Sequence, residues 1–153
     1  MPKTVDNIVI ENARITFRNF SGEATQYNRA GKRKFSVKIE DPELARDLIA
    51  DGWNVKARPP REDGDEPMHY LEVEVSYANI PPKVVAVTRK AKRVLSEDTI
   101  AELDYADIKQ VDLTIRPYCW EVNGATGVKA YLKTMYVVIE EDEFADKYDD
   151  IPY

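Results

Sequence analysis

The chain has 153 residues, 43% of them hydrophobic and 33% charged, with a formal net charge of −6. This length fits one domain, the apolar content exceeds that of a disordered chain, and no apolar run is long enough to span a membrane. The single cysteine, Cys119, excludes an internal disulfide. Because the first residues also lack the apolar segment of a secretory signal, we expect a cytoplasmic protein without membrane contacts.

The acidic residues are concentrated at one end of the chain. Residues 140–153 contain seven acids and one base, whereas residues 1–139 contain 21 of each. This asymmetry predicts a folded domain over 1–139 and an acidic, disordered tail over 140–153. Such a tail could keep the protein soluble, bind a partner or cover a basic groove.

Alternating apolar residues predict strands in the first part of the chain. Within residues 8–20 the apolar positions change phase near Glu11 and Asn12, as a β-bulge would cause, and Ala13, Ile15 and Phe17 then alternate on one face. Residues 33–40 alternate regularly and predict the next strand.

A short helix is predicted over residues 42–51. Asp41 is a good N-cap, Pro42 fits the first helical position, and Gly52 can end the helix in a left-handed conformation. The predicted apolar face contains Leu44, Leu48 and Ile49. A strand over 53–58 follows, in which Trp53 is expected to lie in the core.

Residues 59–67 read PPREDGDEP and predict an acidic surface loop. Strands are then predicted over 69–77 and 83–88, followed by a basic stretch. Ser96 is predicted to cap a second short helix over 97–104, with Ile100 and Leu103 as its buried residues.

The last body element is predicted to be a long hairpin, with strands over 108–122 and 128–139 joined by NGATG. Cys119 is expected to face the core. Together these elements predict an all-β (β-rich) domain with two short helices, an OB-type five-stranded antiparallel barrel with insertions. A β-sandwich is the competing architecture.

One face of the predicted hairpin alternates aromatic rings with cations. Unpaired bases stack on such rings while cations contact the phosphates, so the pattern favours single-stranded nucleic acid. Aromatic residues covered by lysine stems are also common in strands that bind no ligand. The candidate residues on this face are Arg116, Tyr118, Trp120, Lys129, Tyr131 and Lys133.

Two basic clusters add to this face. The first lies at the turn into the second strand, which would flank the ligand of an OB barrel, and the second lies before the second helix. A single basic loop is more commonly solvated and binds no ligand. These clusters therefore count as evidence for nucleic-acid binding only together with the hairpin face. The first contains the potential stacking residue Tyr27 with Arg29, Lys32, Arg33 and Lys34, and the second contains Lys90, Lys92 and Arg93.

Signals for an enzyme are weak. His69 and Cys119 have no partners at metal-ligand spacing, and the sequence has no phosphate-binding glycine loop or nucleophile elbow. We therefore predict no catalytic residue, no metal and no cofactor. Glu72 and Glu74 share a predicted strand face, which keeps a small metal-dependent nucleic-acid enzyme as a third hypothesis.

The last five residues resemble the C-terminal tip of bacterial single-stranded DNA-binding proteins, although that tip typically ends in Phe. They are Asp149, Asp150, Ile151, Pro152 and Tyr153. The stretches RNFSGEATQYNRAGKRKFSVKI and PYCWEVNGATGVKAYLKTMYVV are similar to those of phage-encoded single-stranded DNA-binding proteins of the T7 type, which have an OB fold and an acidic tail.

This resemblance implies a phage protein that coats single-stranded DNA without sequence preference and serves replication or recombination in the host cytoplasm. It also implies that the tail competes with DNA for the groove, and that residues 149–153 recruit replication or recombination proteins. The sequence does not decide whether the protein forms a homo-oligomer. The alternative hypothesis is a virion structural or assembly β-protein that does not bind nucleic acid.

Overall fold

Nine strands and one α-helix form the part of the chain that the structure, a computed structural model, describes. That part comprises residues 5–24, 30–58, 67–78, 80–88 and 91–140. The α-helix α1 spans Pro42–Ala50, and a short 3-10 helix spans Ile100–Asp104. The strands are β1 (Ile8–Ile10), β2 (Ile15–Asn19), β3 (Arg33–Ile39), β4 (Val55–Arg58), β5 (Met68–Val75), β6 (Lys83–Val87), β7 (Lys92–Leu95), β8 (Ile108–Val122) and β9 (Ala125–Ile139). Within these ranges, no helix is long and apolar enough to cross a bilayer.

Six strands form a partly closed barrel with five positions, because β1 and β2 are consecutive parts of one segment. The hydrogen-bonded order is β1-β8-β9-β5-β3-β2, and β1 and β2 belong to one segment, separated only by residues 11–14. In that gap the Ala13 N–H donates to the Val111 carbonyl at 2.7 Å, and the Lys38 N–H donates to the Arg14 carbonyl at 2.9 Å. One segment therefore bridges both ends of the path, which fits the predicted five-stranded OB-type order.

The sheet is mixed rather than wholly antiparallel, because β9 runs parallel to two strands. One edge of β9 pairs antiparallel with β8 along its length. Its other edge pairs first with β5, at Ala130 and Tyr131, and then with β6, from Thr134 to Val138. β4 adds to β5, and β7 pairs with β6. The predicted β-rich class with insertions is confirmed.

The predicted long hairpin is confirmed, with a tighter turn than expected. Asn123 and Gly124 alone form the turn, with φ of 52° and 83°, as a two-residue type I′ turn requires. β9 consequently begins at Ala125 rather than at residue 128. The register follows from this turn and pairs Val122 with Ala125 and Trp120 with Gly127.

Helix α1 has the predicted caps. The Asp41 side chain accepts a hydrogen bond from the Glu43 N–H, and Gly52, with a φ of 97°, follows the last turn. The Gly52 and Trp53 N–H groups donate to the carbonyls of Ile49 and Leu48, which completes a Schellman motif. The expected apolar face is wrong at Ile49, whose side chain is 51% exposed, because the helix packs through Ala45 and Leu48 instead.

The segment 8–20 is two strands with different partners rather than one bulged strand. β1 pairs with β8 and β2 pairs with β3, and Asn12 between them has a φ of 51°. Phe17 does not share the partly buried face of Ala13 and Ile15, since its side chain is 54% exposed. The β2–β3 register shifts between Thr16 and Asn19, and this irregularity turns Phe17 away from the core.

The second predicted helix is a single 3-10 segment that begins later than expected. Its N-cap is Thr99 rather than Ser96, and the Thr99 side chain makes no capping hydrogen bond. Ile100 and Leu103 are fully buried, as predicted. Part of the preceding basic stretch is the edge strand β7, which the sequence did not indicate because its polar residues hide the alternation.

The core fills the inside of the barrel. Its largest fully buried side chains include Phe20, Phe35, Leu71, Ile115 and Leu132, and Trp53 is buried as predicted. The expected core position of Cys119 is wrong, because its thiol is exposed. The tip of the β8–β9 hairpin extends beyond the core, so residues 119–126 are exposed on both of its faces.

Candidate nucleic-acid interface

The solvent side of β3, β5, β8 and β9 carries aromatic and charged residues in aligned rows. Cross-strand pairing places Lys34 beside Glu74, Glu74 beside Tyr131, and Tyr131 beside Arg116. Residues directly opposite on neighbouring strands share a face, so these side chains form one surface. We call this surface the outer face; it comprises Phe17, Lys32, Lys34, Lys38, Lys56, Arg58, Tyr70, Glu72, Glu74, Arg116, Tyr118, Trp120, Lys129 and Tyr131.

The hairpin end of the outer face is centred on the Tyr131 ring. The Arg116 guanidinium carbon lies 4.6 Å and the Lys129 amine 5.1 Å from the centre of this ring. Tyr118 meets it edge-on, with the ring centres 6.0 Å apart. Two cations and two rings therefore lie together, and Tyr118 is more than half exposed. This arrangement offers π-faces for stacking with positive charge beside them.

Trp120 lies on a glycine of the neighbouring strand. A Cβ atom added at Gly127 would come within 2.5 Å of the Trp120 Cζ2 atom, so only glycine lets the indole lie against β9 at this position. The indole is 38% exposed and lines a groove of about 520 Å³ with Ile49, Trp53 and Lys129. The groove is open and part apolar, and its volume lies in the range of small-ligand sites.

Glu72 lies at the centre of a lysine cluster. Its carboxylate is 3.3 Å from the Lys34 amine, 3.4 Å from the Lys56 amine and 4.0 Å from the Lys32 amine. Partial burial alone would raise the pKa of Glu72, but the hydrogen bond and charge of Lys34, with those of Lys56, hold it below its ordinary value. Three amines arranged around one carboxylate could also surround a phosphate.

Glu74 pairs with Lys129 across the β5–β9 contact, at 2.7 Å. Partial burial would lower the pKa of Lys129, but the hydrogen bond and charge of Glu74 raise it above its ordinary value. Lys129 therefore stays cationic at neutral pH. Both carboxylates proposed for the enzyme hypothesis are held by lysines in this structure.

The ion pairs of Glu72 predict a pH-dependent contribution to stability. A carboxyl group whose pKa is lowered by folding stabilises the fold above its unfolded pKa, and this contribution is lost as the pH falls through the folded pKa. We expect wild type to lose melting temperature relative to Glu72→Gln as the pH is lowered from neutral to about 3. That lower limit lies below the ordinary Glu pKa. Thermal unfolding of both proteins across this range checks it. A pH-independent difference would contradict it.

Other predicted site residues lie away from the outer face or outside the described residues. Arg33 belongs to the opposite side of β3, where it pairs with Glu97 at 3.3 Å and lies 5.7 Å from the Tyr77 ring. Lys92 and Arg93 are in β7, and Arg93 pairs with Glu102. Lys133 is the extra residue of a bulge, between the pairs Ile115–Leu132 and Thr114–Thr134. The predicted residues outside the described ranges are Tyr27, Arg29, Lys90, Asp149, Asp150, Ile151, Pro152 and Tyr153.

Several residues of the outer face were missed by the sequence analysis. Tyr70 lies on β5 in register with Lys38 and Lys56, and Phe17 and Arg58 lie against it. The alternation of β5 already placed Tyr70 on the face of Glu72 and Glu74, so its position could have been read from the sequence. Phe17 could not have been found, because the irregularity in β2 reverses its direction.

The described ranges contain no group of three or more His, Cys, Asp or Glu side chains placed to hold a metal ion. His69 lies within β5, opposite Ile39 on one side and Ala57 on the other. The outer face itself carries aromatic rings, hydrogen-bonding groups and paired charges.

Comparison with known proteins identifies a family and a shared fold. The sequence model of the putative phage ssDNA-binding domain family matches residues 1–153. No curated protein sequence matches the chain.

Several of the similar solved structures come from bacteriophage Enc34. Its single-stranded DNA-binding protein in complex with ssDNA has a TM-score of 0.56 and 16% identity, over 94% of this chain and 97% of that chain. A second structure of the Enc34 protein has a TM-score of 0.54 and 16% identity, over 97% of this chain and 98% of that chain. The single-stranded DNA-binding protein gp2.5 of bacteriophage T7 has a TM-score of only 0.41 at 13% identity, over 97% of each chain. The Enc34 likeness indicates a shared fold.

Proposed function

The chain belongs to the family of putative phage ssDNA-binding domains, and we propose from this premise that its outer face binds single-stranded DNA without sequence preference. The observation that carries the proposal is the group of partly exposed rings Tyr118, Trp120 and Tyr131, with Arg116 and Lys129 over the Tyr131 ring. Bases would stack on the rings, and the cations would contact the backbone. A member of a family of DNA-binding domains acts by binding, not by catalysis.

Cations on the outer face outnumber its carboxylates, Glu72 and Glu74, although the chain as a whole is acidic. A local positive surface is what a polyanion needs, because its affinity comes largely from counterion release. The logarithm of the affinity should then fall by roughly 0.7 per neutralised phosphate for each tenfold increase in salt. The bases of duplex DNA already stack on one another, so exposed rings favour single strands.

Tryptophan fluorescence during titration with oligo-dT tests the proposal. Trp53 is buried and Trp120 is partly exposed, so a binding signal should come from Trp120. We expect quenching that is reversed by salt, and loss of this quenching in Trp120→Phe while anisotropy of labelled oligo-dT still reports binding. If wild type binds no oligo-dT at low salt by either method, the proposal is wrong and a virion structural or assembly role becomes the better explanation.

We also propose that residues 140–153 are an acidic tail that competes with DNA and recruits replication or recombination proteins in the host cytoplasm. Its first residue, Glu140, lies beside the folded body, where its N–H donates to the Asp107 carbonyl at 2.8 Å. A segment with this acidic excess could occupy a cationic groove until DNA displaces it. The residues proposed to bind the partner are Asp149, Asp150, Ile151, Pro152 and Tyr153.

Truncation after Glu140 is expected to tighten oligo-dT binding at about 50 mM salt, and the gain should shrink towards about 200 mM because screening weakens the competing tail. Anisotropy titrations of the full chain and the truncated chain measure this effect. A full-length variant with the tail acids changed to amides should behave like the truncated chain. Equal affinity of all three proteins at low salt would contradict competition, while loss of partner capture by truncation would still support recruitment.

A further inference from the structure

Phe17 combines an exposed ring with a strained backbone. Its φ is 52°, in the left-handed region, and its side chain is 54% exposed. Asn and Gly adopt this conformation readily, but a bulky aromatic residue is an outlier there. Among the described residues, the other non-glycine positive φ values belong to Asn12 and Asn123. Burial of the ring therefore does not compensate for the backbone strain at Phe17. Strain of this kind is a feature of functional sites.

The Phe17 ring belongs to a small aromatic and cationic cluster. It meets the Tyr70 ring edge-on at 6.1 Å between centres, with 63° between the planes. The Arg58 guanidinium carbon lies 4.6 Å from the centre of the Phe17 ring and 5.7 Å from that of Tyr70. The three residues come from β2, β4 and β5, and Arg58 is exposed. Both rings and the planar guanidinium are groups on which unpaired bases stack.

This cluster lies at the far end of the outer face from the hairpin rings. Tyr70 is four residues before Glu74 on β5, and Glu74 is in register with Tyr131. At about 3.3 Å per strand residue, the two aromatic groups are separated by roughly 13 Å along the sheet. The lysines around Glu72 lie between them. A cationic path therefore connects two stacking surfaces.

We propose that Phe17, Tyr70 and Arg58 form a second nucleobase-stacking site, so that a bound single strand crosses the sheet from the hairpin rings to this cluster. The inference rests on the proposed function and extends it to a second binding position. Phe17 is held outward by the β2 irregularity so that its ring lies beside Tyr70 and stays accessible to a base.

Oligonucleotide length separates this second site from the first. A strand of about 4 nucleotides can be held by one set of rings, whereas one of about 12 can span both. For Phe17→Ala we expect the affinity for the longer oligo-dT to fall by roughly 5- to 150-fold, as loss of one stacked base predicts, and that for the shorter one to change less than about twofold. Tyr105→Ala, which removes a highly exposed ring at the end of the 3-10 segment, is the matched control and should bind both lengths as wild type does.

Phe17→Gly distinguishes stacking from a structural role. Glycine relieves the left-handed strain that alanine retains, so Phe17→Gly should melt at a higher temperature than Phe17→Ala, yet both should lose the same affinity for the longer strand. The inference is overturned if Phe17→Ala binds the longer strand normally, if both lengths lose affinity equally, or if Phe17→Gly restores binding. Failure of wild type to bind either strand would instead overturn the proposed function.

Discussion

Replacing Tyr131 with alanine is expected to weaken oligo-dT binding by roughly 5- to 150-fold, the range for removal of one stacking platform of about 1–3 kcal/mol. Tyr131 is the largest expected single contributor because Arg116, Lys129 and Tyr118 all contact its ring. Its removal would take away a π-face and also release both cations from their positions beside the bound strand. Anisotropy of labelled oligo-dT at fixed salt measures the effect.

Two control variants make this test specific. Tyr131→Phe keeps the ring and loses only the hydroxyl group, so it should bind within about twofold of wild type if stacking is the main contribution. Tyr136→Ala removes a partly exposed ring from the same strand, where Tyr136 pairs with Asp112 and Val85 away from the outer face. If Tyr136→Ala and Tyr131→Ala lose equal affinity, the hairpin end of the outer face is not the site of stacking.

The hairpin residues of the outer face could be predicted because their positions depend only on local rules. Side chains alternate with a period of two, and an Asn-Gly turn sets the register of both strands. Arg116, Tyr118 and Trp120 therefore share a side with Lys129 and Tyr131 in the sequence interpretation and in the structure. The sequence did not show where this alternation ends. A bulge beside Thr114 leaves Lys133 without a partner in the strand pairing.

The rest of the outer face depends on contacts between segments that are distant in sequence. Glu72 attracts Lys32, Lys34 and Lys56 because β3, β4 and β5 are neighbours, and their order could not be derived from alternation alone. A shift of one residue reverses the face of a side chain, so the irregularity in β2 turns Phe17 away from the face of Ala13 and Ile15. Strand pairing and bulges are thus the information that the sequence pattern lacked.

The same pairing explains why an acidic residue occupies the middle of a proposed DNA-binding surface. Lys32, Lys34 and Lys56 would repel one another if no anion lay between them, and Glu72 supplies that anion in the free protein. The lowered pKa of Glu72 keeps its carboxylate charged at neutral pH. A phosphate that approaches these lysines must therefore compete with the Glu72 carboxylate for them.

Glu72→Gln is accordingly expected to bind oligo-dT more tightly than wild type. Removing one negative charge a few ångströms from a phosphate in a solvated site is worth about 1 kcal/mol, or roughly a fivefold gain in affinity. With the lysines released, the logarithmic salt dependence should steepen by roughly 0.7 for each additional phosphate they contact. Anisotropy titrations at several salt concentrations measure both quantities.

Glu97→Gln is the matched control for this gain, because it removes the same charge from a residue that pairs with Arg33 on the opposite side of β3. A general effect of net charge would raise the affinity of both variants equally, whereas a local effect should appear in Glu72→Gln alone. If Glu72→Gln binds no more tightly than Glu97→Gln, the lysines around Glu72 do not contact the bound strand. A gain confined to Glu72→Gln would mean that the free protein holds its phosphate-binding amines in place with an internal anion.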